Sequence, residues 1–489
     1  MADPAPPVEQ PDELSPLDYL LYRGESRPAT RSAFLDVEIL DRPADWIILR
    51  EALDRASRVV VRMRQKVVTP PIPITSARWV IDPDFNLDYH LRRVALPAPG
   101  TLRQLLDLAE VTLQSPLDTS RALWEALYVE GLEGEGRVRA ALLMKLSHAI
   151  TDGLGGIALF EQLYDTERDS EPRAMPPVPV PRDLSGDDLL RRTVRELPWT
   201  ALSAGRRLLG DATATAGRLL RHPGPAVAGS LRFADSARRI LGPPATAPSP
   251  LLRGRSLVSR THVLEVPLAD LRAGAKAVGA SVNDAYLAAL CGGLGRYHEA
   301  LGVPIDALPL ALPVSLRTGD DPASGNRFAG VTIAAPMAES DPAERMQLIR
   351  EQVIARRSEP AIDVIGRLSL VLTVLPDAVL LPIAERFTSA DIQASNVPSY
   401  PQETYLAGAK VERQYGMGPL PRVAMMAVLI SRAGTCTVTC RYDTASFAVP
   451  DLLEKCLQLG FDEVVELGRP RPRTRSRPAS PRAAKRGTS

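Results

Sequence analysis

The stretch RVRAALLMKLSHAITDGLGGIALFEQLY, residues 137–164, decides the fold of this chain. Its apolar run at 140–146 is interrupted only by Lys145, and a short run of this kind between charged residues and glycine predicts a buried strand. From Leu154 onward, the apolar residues recur at helical spacing. The sequence therefore predicts a strand that ends at His148, a tight turn, and a helix that leaves from that turn.

The histidine at the end of this strand has the chemistry of a general base. Loops at strand ends in α/β proteins open onto crevices, and a neutral imidazole, with an ordinary pKa of about 6.5, accepts a proton near neutral pH. Asp152 either orients the ring or holds the turn through a distant arginine. Ser147 is not a nucleophile for His148, because adjacent strand residues point to opposite faces. On these residues alone, a buried histidine beside an ordinary Asp-Gly turn is the alternative.

The composition restricts the classes of function. The 489 residues suffice for two domains at about 100–200 residues each. A formal net charge of +1 argues against nucleic acid as a general partner. The four cysteines lack paired metal-binding spacing, which predicts structural thiols, no metal site and a reducing compartment. We see no signal peptide and no run near the ~20 apolar residues that span a bilayer, so we expect a cytoplasmic protein.

Proline-rich breaks divide the chain into five parts. We expect a disordered N-terminus at 1–13, a first domain at 14–168 that carries the histidine, and a proline-rich linker with a basic helical segment at 169–255. A second domain follows at 256–467, and 468–489 is expected to form a disordered basic tail.

The basic helical segment at 189–240 is a candidate for peripheral contact with membranes or lipid droplets. It has ten arginines against three acidic residues, a net charge of +7, and its arginine pairs alternate with leucine pairs. Basic amphipathic helices bind anionic lipid surfaces. A solvated helix between the two domains is the alternative.

The second half contributes three further features. Ser281 is a plausible N-cap for a helix that opens with Asn283 and Asp284. An apolar strand ends at Arg317, and residues 427–443 predict a hairpin that turns at an Ala-Gly pair.

HAITDG, residues 148–153, resembles the HHxxxDG motif of the bacterial wax ester synthase/diacylglycerol acyltransferase family. That family is part of the larger group of CoA-dependent acyltransferases and peptide-synthase condensation domains. His148 matches the second, catalytic histidine of the motif, and Ser147 takes the place of the first. The resemblance extends over roughly residues 14–467 through LSPLDYLLYRGE (14–25), PLDTSRALWE (116–125), the Asn283–Asp284 pair and ASNVPSY (394–400).

This resemblance implies an α/β fold with two chloramphenicol-acetyltransferase-like domains, mixed sheets with flanking helices, and an active-site tunnel between them. It implies an acyl-CoA-dependent O-acyltransferase that makes triacylglycerol from diacylglycerol, wax ester from a long-chain alcohol, or both. Transfer would be direct, with His148 as the general base and with acyl-CoA as co-substrate but no cofactor. The supporting motif residues are Asp152, Gly153, Asn283, Asp284 and Arg317.

The same resemblance implies roles for individual residues. Asp152 would pair with Arg317 across the domains and hold the histidine loop. Asn283 is a candidate donor to the oxyanion, with capping of its own helix as the alternative. Two other functions stay open: a condensation-type enzyme acting on another alcohol or amine, and a catalytically silent lipid-binding relative, for which Ser147 is the main argument.

Overall fold

The computed structural model of the chain describes most of both halves. The described residues are 12–71, 77–134, 137–150, 159–181, 185–191, 244–315, 328–361, 372–373, 375–387 and 390–469, together with seven residues from 195 to 242 (195, 232, 235, 236, 238, 239 and 242). Asp152, Gly153 and Arg317 lie outside them, as do most of the basic segment 189–240, residues 1–11 of the N-terminus and residues 470–489 of the tail.

The elements of the first half alternate between helix and strand. In chain order they are α1 (Pro16–Gly24), β1 (Phe34–Leu40), α2 (Trp46–Val59), a 3-10 turn (Val61–Arg64), β2 (Gln65–Val68), β3 (Arg78–Ile81), α3 (Leu87–His90), β4 (Leu91–Ala95), α4 (Leu102–Gln114), β5 (Trp124–Gly134) and β6 (Arg137–Leu146). The strand predicted at 140–146 is confirmed as the buried end of β6.

The second half continues with β7 (Ser259–Pro267), α5 (Leu268–Ala277), α6 (Val282–Ala300), β8 (Ala307–Ser315), β9 (Phe328–Pro336), α7 (Pro342–Arg357) and α8 (Asp377–Phe387). The final elements are β10 (Ile392–Pro398), β11 (Tyr405–Leu406), β12 (Ala409–Met417), β13 (Met425–Arg432), β14 (Thr435–Asp443) and α9 (Pro450–Glu466). The predicted hairpin is confirmed as β13 and β14, joined by Ala433 and Gly434 with φ of 44° and 83°. Positive φ at both turn positions suits a two-residue hairpin turn.

Two mixed sheets organise the described chain. The first has the order β11-β12-β1-β6-β5-β4, in which only β4 and β5 are parallel. The second has the order β7-β14-β13-β10-β8-β9, in which β10 is parallel to both of its neighbours. Helix α4 packs against the first sheet, while α6, α7 and α9 pack together beside the second.

Strands β11 and β12 belong to the first sheet although they come late in the chain. There β12 pairs with β1. Gly416 lies on the face of β12 that meets the second sheet. A Cβ there would come within 2.9 Å of Ile430 Cδ1 and 3.1 Å of Val428 Cγ1, so a larger residue would have to push these two side chains aside.

Helix caps and a glycine contact fix the helices of the second half. Ser281 and Asp284 form a capping box at the start of α6, as the N-cap prediction expected. Helices α6 and α9 cross where Gly293 meets Gly460, since a Cβ on Gly460 would lie 2.2 Å from the carbonyl oxygen of Ala289. The crossing therefore brings the two helix backbones into contact.

A buried ion pair joins the two halves. Glu110 of α4 accepts hydrogen bonds from Arg441 Nε of β14, at 3.2 and 3.0 Å to its two oxygens. Ser259 and Thr261 of β7 donate to the same carboxylate. Both charged side chains are less than a tenth exposed. With several donors around it, the pair meets the condition under which buried charges are tolerated.

Glu110→Gln is expected to lower the free energy of unfolding by about 3–5 kcal/mol, because Arg441 would stay buried without its counter-charge. Urea unfolding followed by circular dichroism measures this value. Glu130→Gln is the control, because Glu130 meets the exposed Arg93 and should affect stability little. Equal effects of the two changes would contradict a special role for the Glu110–Arg441 pair.

Candidate active site

His148 lies in the turn that follows β6. The strand ends at Leu146, and residues 148–150 form the turn. Leu146 pairs with Phe34 of β1, so His148, two residues further on, continues along the face of Phe34. The two rings are in contact, with centroids 4.7 Å apart and an interplanar angle of 52°. The imidazole is half-buried, which leaves part of it accessible to a substrate.

Ser147 points to the opposite side and is completely buried. Its hydroxyl donates to Glu25 Oε1 at 3.0 Å and accepts the backbone N–H of Ala149 at 3.2 Å. Its backbone N–H donates to Leu123 at 3.0 Å, and its carbonyl accepts the N–H of Ile150 at 3.0 Å. The Ser147 hydroxyl therefore fixes the chain on both sides of His148: it holds position 147 to Glu25 and it holds the backbone of Ala149.

A polar layer lies behind the strand, on the side away from the imidazole. Glu25, just after α1, accepts the hydroxyl of Ser32 at 2.9 Å in addition to that of Ser147. Burial raises the pKa of Glu25, and these hydrogen bonds act in the opposite direction. Lys145 Nζ donates to the carbonyl of Ser115 at 2.5 Å. Burial lowers the pKa of Lys145 to about 8, against the effect of nearby glutamates.

The Asn283–Asp284 pair lies at the start of α6, in the other half of the molecule. Asp284 is buried and accepts from the backbone N–H and hydroxyl of Ser281, at 2.9 and 2.8 Å, and its Oδ2 is 3.3 Å from Arg350. Asn283 is half-buried, and its side-chain oxygen accepts from Asn396 Nδ2 at 3.5 Å. Asp284 therefore caps the helix, whereas Asn283 faces Asn396, which lies in the ASNVPSY segment that resembles the family.

The structure brings together only some of the residues named from sequence. It joins Asn283 to Asn396 and places His148 at the end of β6. Asp152 and Arg317 lie outside the described ranges, so their pairing stays a prediction. Sequence reasoning missed Glu25. This residue ends the recognisable segment 14–25, but its contact with Ser147 bridges 122 positions, and no local periodicity reports such a contact.

The described ranges contain neither a metal-binding cluster nor a membrane-spanning helix. Within them, no three His, Cys, Asp or Glu side chains are grouped so that they could hold a metal ion. No helix in that part of the chain has the length and apolar character needed to cross a membrane. All four cysteines are buried and free, and burial raises the pKa of Cys291 and of Cys440 to about 12.

Comparison with known proteins gives the family. The wax ester synthase/diacylglycerol acyltransferase catalytic domain matches residues 14–286, and the WS/DGAT C-terminal domain matches residues 324–464. A Mycobacterium tuberculosis H37Rv protein provisionally named as a diacylglycerol O-acyltransferase is 55% identical over 463 residues, which is 94% of each chain. The chain belongs to the wax ester synthase/diacylglycerol acyltransferase family. The predicted family is confirmed.

More distant relatives of this family agree with the predicted fold. Another M. tuberculosis H37Rv protein with the same provisional name is 29% identical over 416 residues, covering 81% of this chain and 84% of its own. The wax ester synthase/diacylglycerol acyltransferase from Marinobacter aquaeolei VT8 has a TM-score of 0.60 at 20% identity, over 93% of this chain and 99% of the other. The first condensation domain of the CDA synthetase has a TM-score of 0.58 at 16% identity, over 94% and 97%. These structures confirm the two-sheet α/β fold.

Ser147→Ala is expected to cost about 1–3 kcal/mol of unfolding free energy, because the change leaves the Ala149 N–H and one oxygen of Glu25 buried without this partner. Urea unfolding measures the loss. Ser120→Ala is the matched control, since Ser120 donates to Asp118 at 2.7 Å in an exposed turn. A loss at position 147 no greater than that at 120 would argue against the hydroxyl as the fixing group.

Proposed function

We propose that this protein is an acyl-CoA-dependent O-acyltransferase that makes neutral lipid: triacylglycerol from diacylglycerol, wax ester from a long-chain alcohol, or both. The main support is the half-buried imidazole of His148, held at the end of β6 by a fixed turn in a chain of this family. The provisional name of the relative at 55% identity favours diacylglycerol as an acceptor.

In the proposed reaction, His148 acts as a general base. Its neutral imidazole takes the proton of the acceptor hydroxyl as that oxygen attacks the thioester carbonyl of acyl-CoA. The tetrahedral intermediate then expels the CoA thiolate, which takes the proton from the imidazolium. The products are the new ester and free CoA, and the histidine returns to its neutral form. A positioned base of this kind contributes roughly 10²–10⁴-fold in rate.

Two further roles complete the proposal. The oxyanion of the intermediate needs a hydrogen-bond donor. Asn283 is our candidate, because its side-chain oxygen accepts from Asn396 of another motif segment and its Nδ2 group can donate. Asp152 is proposed to pair with Arg317 and hold the histidine loop, a structural role rather than a proton relay.

The serine before His148 is compatible with an active enzyme. A silent relative would be expected if the first histidine of the motif were needed for chemistry. In this chain, however, Ser147 lies behind the strand and keeps the turn fixed through Glu25 and Ala149. The base itself is unaffected by the replacement. We therefore favour the catalytic function over the silent, lipid-binding one.

His148→Ala is expected to keep the fold and to lower acyl transfer by ~10²-fold or more. The assay incubates purified protein with labelled acyl-CoA and either diacylglycerol or hexadecanol, and then resolves the neutral lipids. His262→Ala, at a half-buried histidine on β7, is the control and should leave activity unchanged. Undiminished activity in His148→Ala would remove the base assignment, and a wild type inactive with both acceptors would favour the silent relative.

We further propose peripheral contact of the basic segment 189–240 with anionic membranes or lipid droplets. Arg206→Gln with Arg207→Gln should weaken sedimentation with phosphatidylglycerol vesicles by roughly tenfold or more, at about 1 kcal/mol per arginine engaged. Binding by the wild type should also weaken with salt. Arg92→Gln with Arg93→Gln, on the exposed side of β4, is the control. Equal binding by the two double variants would contradict the proposal.

A further inference from the structure

Strand β1 carries two carboxyl groups on the sheet face that also bears Phe34. Asp36 and Glu38 alternate along it with Leu35, Val37 and Ile39. Alternation of this kind normally leaves the polar face in solvent. Here the polar face is buried as well: Asp36 is 5% exposed and Glu38 is 1% exposed.

The groups around these carboxyls come from both halves of the molecule. Gln414 Nε2 of β12 donates to the two oxygens of Asp36, both at 3.1 Å. The hydroxyl of Tyr164 donates to Glu38 Oε1. From β13, Arg432 is 5% exposed and its charge acts on both carboxyls.

Among the described residues, the remaining neighbours bring no further full charge into the cluster. Leu142 and Met144 of β6 pair with Glu38 and Asp36 and are apolar. Ser399 donates to Gln414 at 2.7 Å, and Thr404 accepts from Arg432. Tyr400 packs edge-on against Tyr164, and its pKa is raised chiefly by burial, with smaller effects from the exposed Glu161 and from Glu38.

The charge balance requires a proton. Two ionised carboxylates beside one guanidinium would leave a net negative charge in a buried place, which is strongly unfavourable. One retained proton makes the cluster neutral. Burial raises the pKa of Asp36 to about 7, and it raises the pKa of Glu38 well above its usual range, where the negative charge of Asp36 acts in the same direction. Gln414 donates to both oxygens of Asp36, which favours the ionised form of Asp36, so Glu38 is the group that holds the proton near neutral pH.

The cluster also holds the chain at Tyr164, sixteen residues after His148. Residues 159–163 are helical, and Tyr164 follows them directly. Asp165 then bridges to Tyr405, with two N–H to carbonyl hydrogen bonds of 2.8 Å. The chain between Ser147 and Tyr164 is thus held at its start through Glu25 and at its end through Glu38, with His148 between the two.

We propose that Glu38 is a positioning residue that works as a neutral carboxylic acid: it keeps a proton next to Asp36, accepts a hydrogen bond from the Tyr164 hydroxyl, and so holds the chain at Tyr164, sixteen residues after His148. This inference rests on the proposed role of His148 for its effect on rate, but not for the protonation state of Glu38. At alkaline pH, loss of the shared proton places two negative charges side by side between the halves, and the Tyr164 anchor loosens.

The sign of the pH dependence follows from the raised pKa values. A carboxyl whose pKa is higher in the folded than in the unfolded protein stabilises the fold below its unfolded pKa of about 4.3, and this contribution is lost as pH rises through the folded pKa. The melting temperature is therefore expected to fall as pH rises from about 4.3 towards the alkaline side, and kcat is expected to fall as pH rises through the folded pKa while KM changes little.

Glu38→Gln tests the inference, because an amide keeps the shape, can donate to Asp36 and accept from Tyr164, and cannot ionise. We expect activity within about twofold of wild type at neutral pH, a smaller alkaline fall of kcat and of melting temperature, and loss of one infrared C=O band of a protonated carboxyl.

Tyr164→Phe should lower kcat several-fold at unchanged KM. Glu265→Gln is the matched control: Glu265 accepts from Tyr415 at 3.0 Å and Arg413 at 2.7 Å in an exposed position, and none of these properties should change.

A second variant tests the charge balance. In Asp36→Asn, Glu38 can ionise opposite Arg432. In Glu38→Gln, Asp36 is ionised opposite Arg432. The double variant leaves the Arg432 guanidinium without a counter-charge. The double variant should therefore lose more stability than the two single variants together.

Three results would overturn the inference: a Glu38→Gln protein that is inactive or unfolded at neutral pH, an infrared band that survives the change, or an alkaline fall equal to that of wild type. The infrared and melting measurements need no substrate. An inactive wild type would thus count against the proposed acyl transfer and leave the protonation of Glu38 to be decided by those two measurements.

Discussion

The pairing of β12 with β1 is the constraint on which the rest of this structure depends. Strand β12 comes from the second half of the chain, yet its backbone pairs with β1 from Leu35 to Leu40. On its other side, Thr437 donates to the carbonyl of Gln414 at 2.6 Å, and Arg441 donates to that of Gly418 at 3.2 Å. Because β12 is bonded to both halves through its own backbone, neither half can shift without breaking hydrogen bonds in a buried place.

This constraint carries over to the candidate site through β1. The strand supplies Phe34, which touches the imidazole of His148, and it supplies the two carboxyls that face Arg432 of the second sheet. A close approach of the sheets at Gly416 covers this face and removes water from it. Polar groups that would be solvated on an open sheet must then find partners or hold protons, which explains why so many side-chain hydrogen bonds gather here.

The serine beside His148 shows how a motif can change while its geometry is kept. In the family motif the position holds a histidine, and in this chain a smaller hydroxyl reaches Glu25 and the Ala149 amide. Because position 147 lies behind the strand, its side chain acts on the turn and is directed away from the imidazole of His148. The relatives at 20% identity and below share the fold with this chain, whereas the Ser147–Glu25 contact is read from the chain itself.

The sequence by itself determined the features that depend on neighbouring residues. The apolar run before His148, the N-cap at Ser281 and the hairpin at 427–443 follow from local periodicity and turn chemistry, and the structure confirms them. The order of the motifs was also enough to place the chain in its family. Each of these signals lies within a few residues of the element that it predicts.

The tertiary structure alone decided what covers each face. Alternating carboxyls at 36 and 38 predict a strand with one solvated face, and nothing local reveals that β12 and β13 bury it. The place of β11 and β12 in the first sheet and the contact between Glu25 and Ser147 are equally invisible in the sequence, since they join residues far apart along the chain. Local patterns report the preference of a segment, whereas burial and protonation depend on which distant segment packs against it.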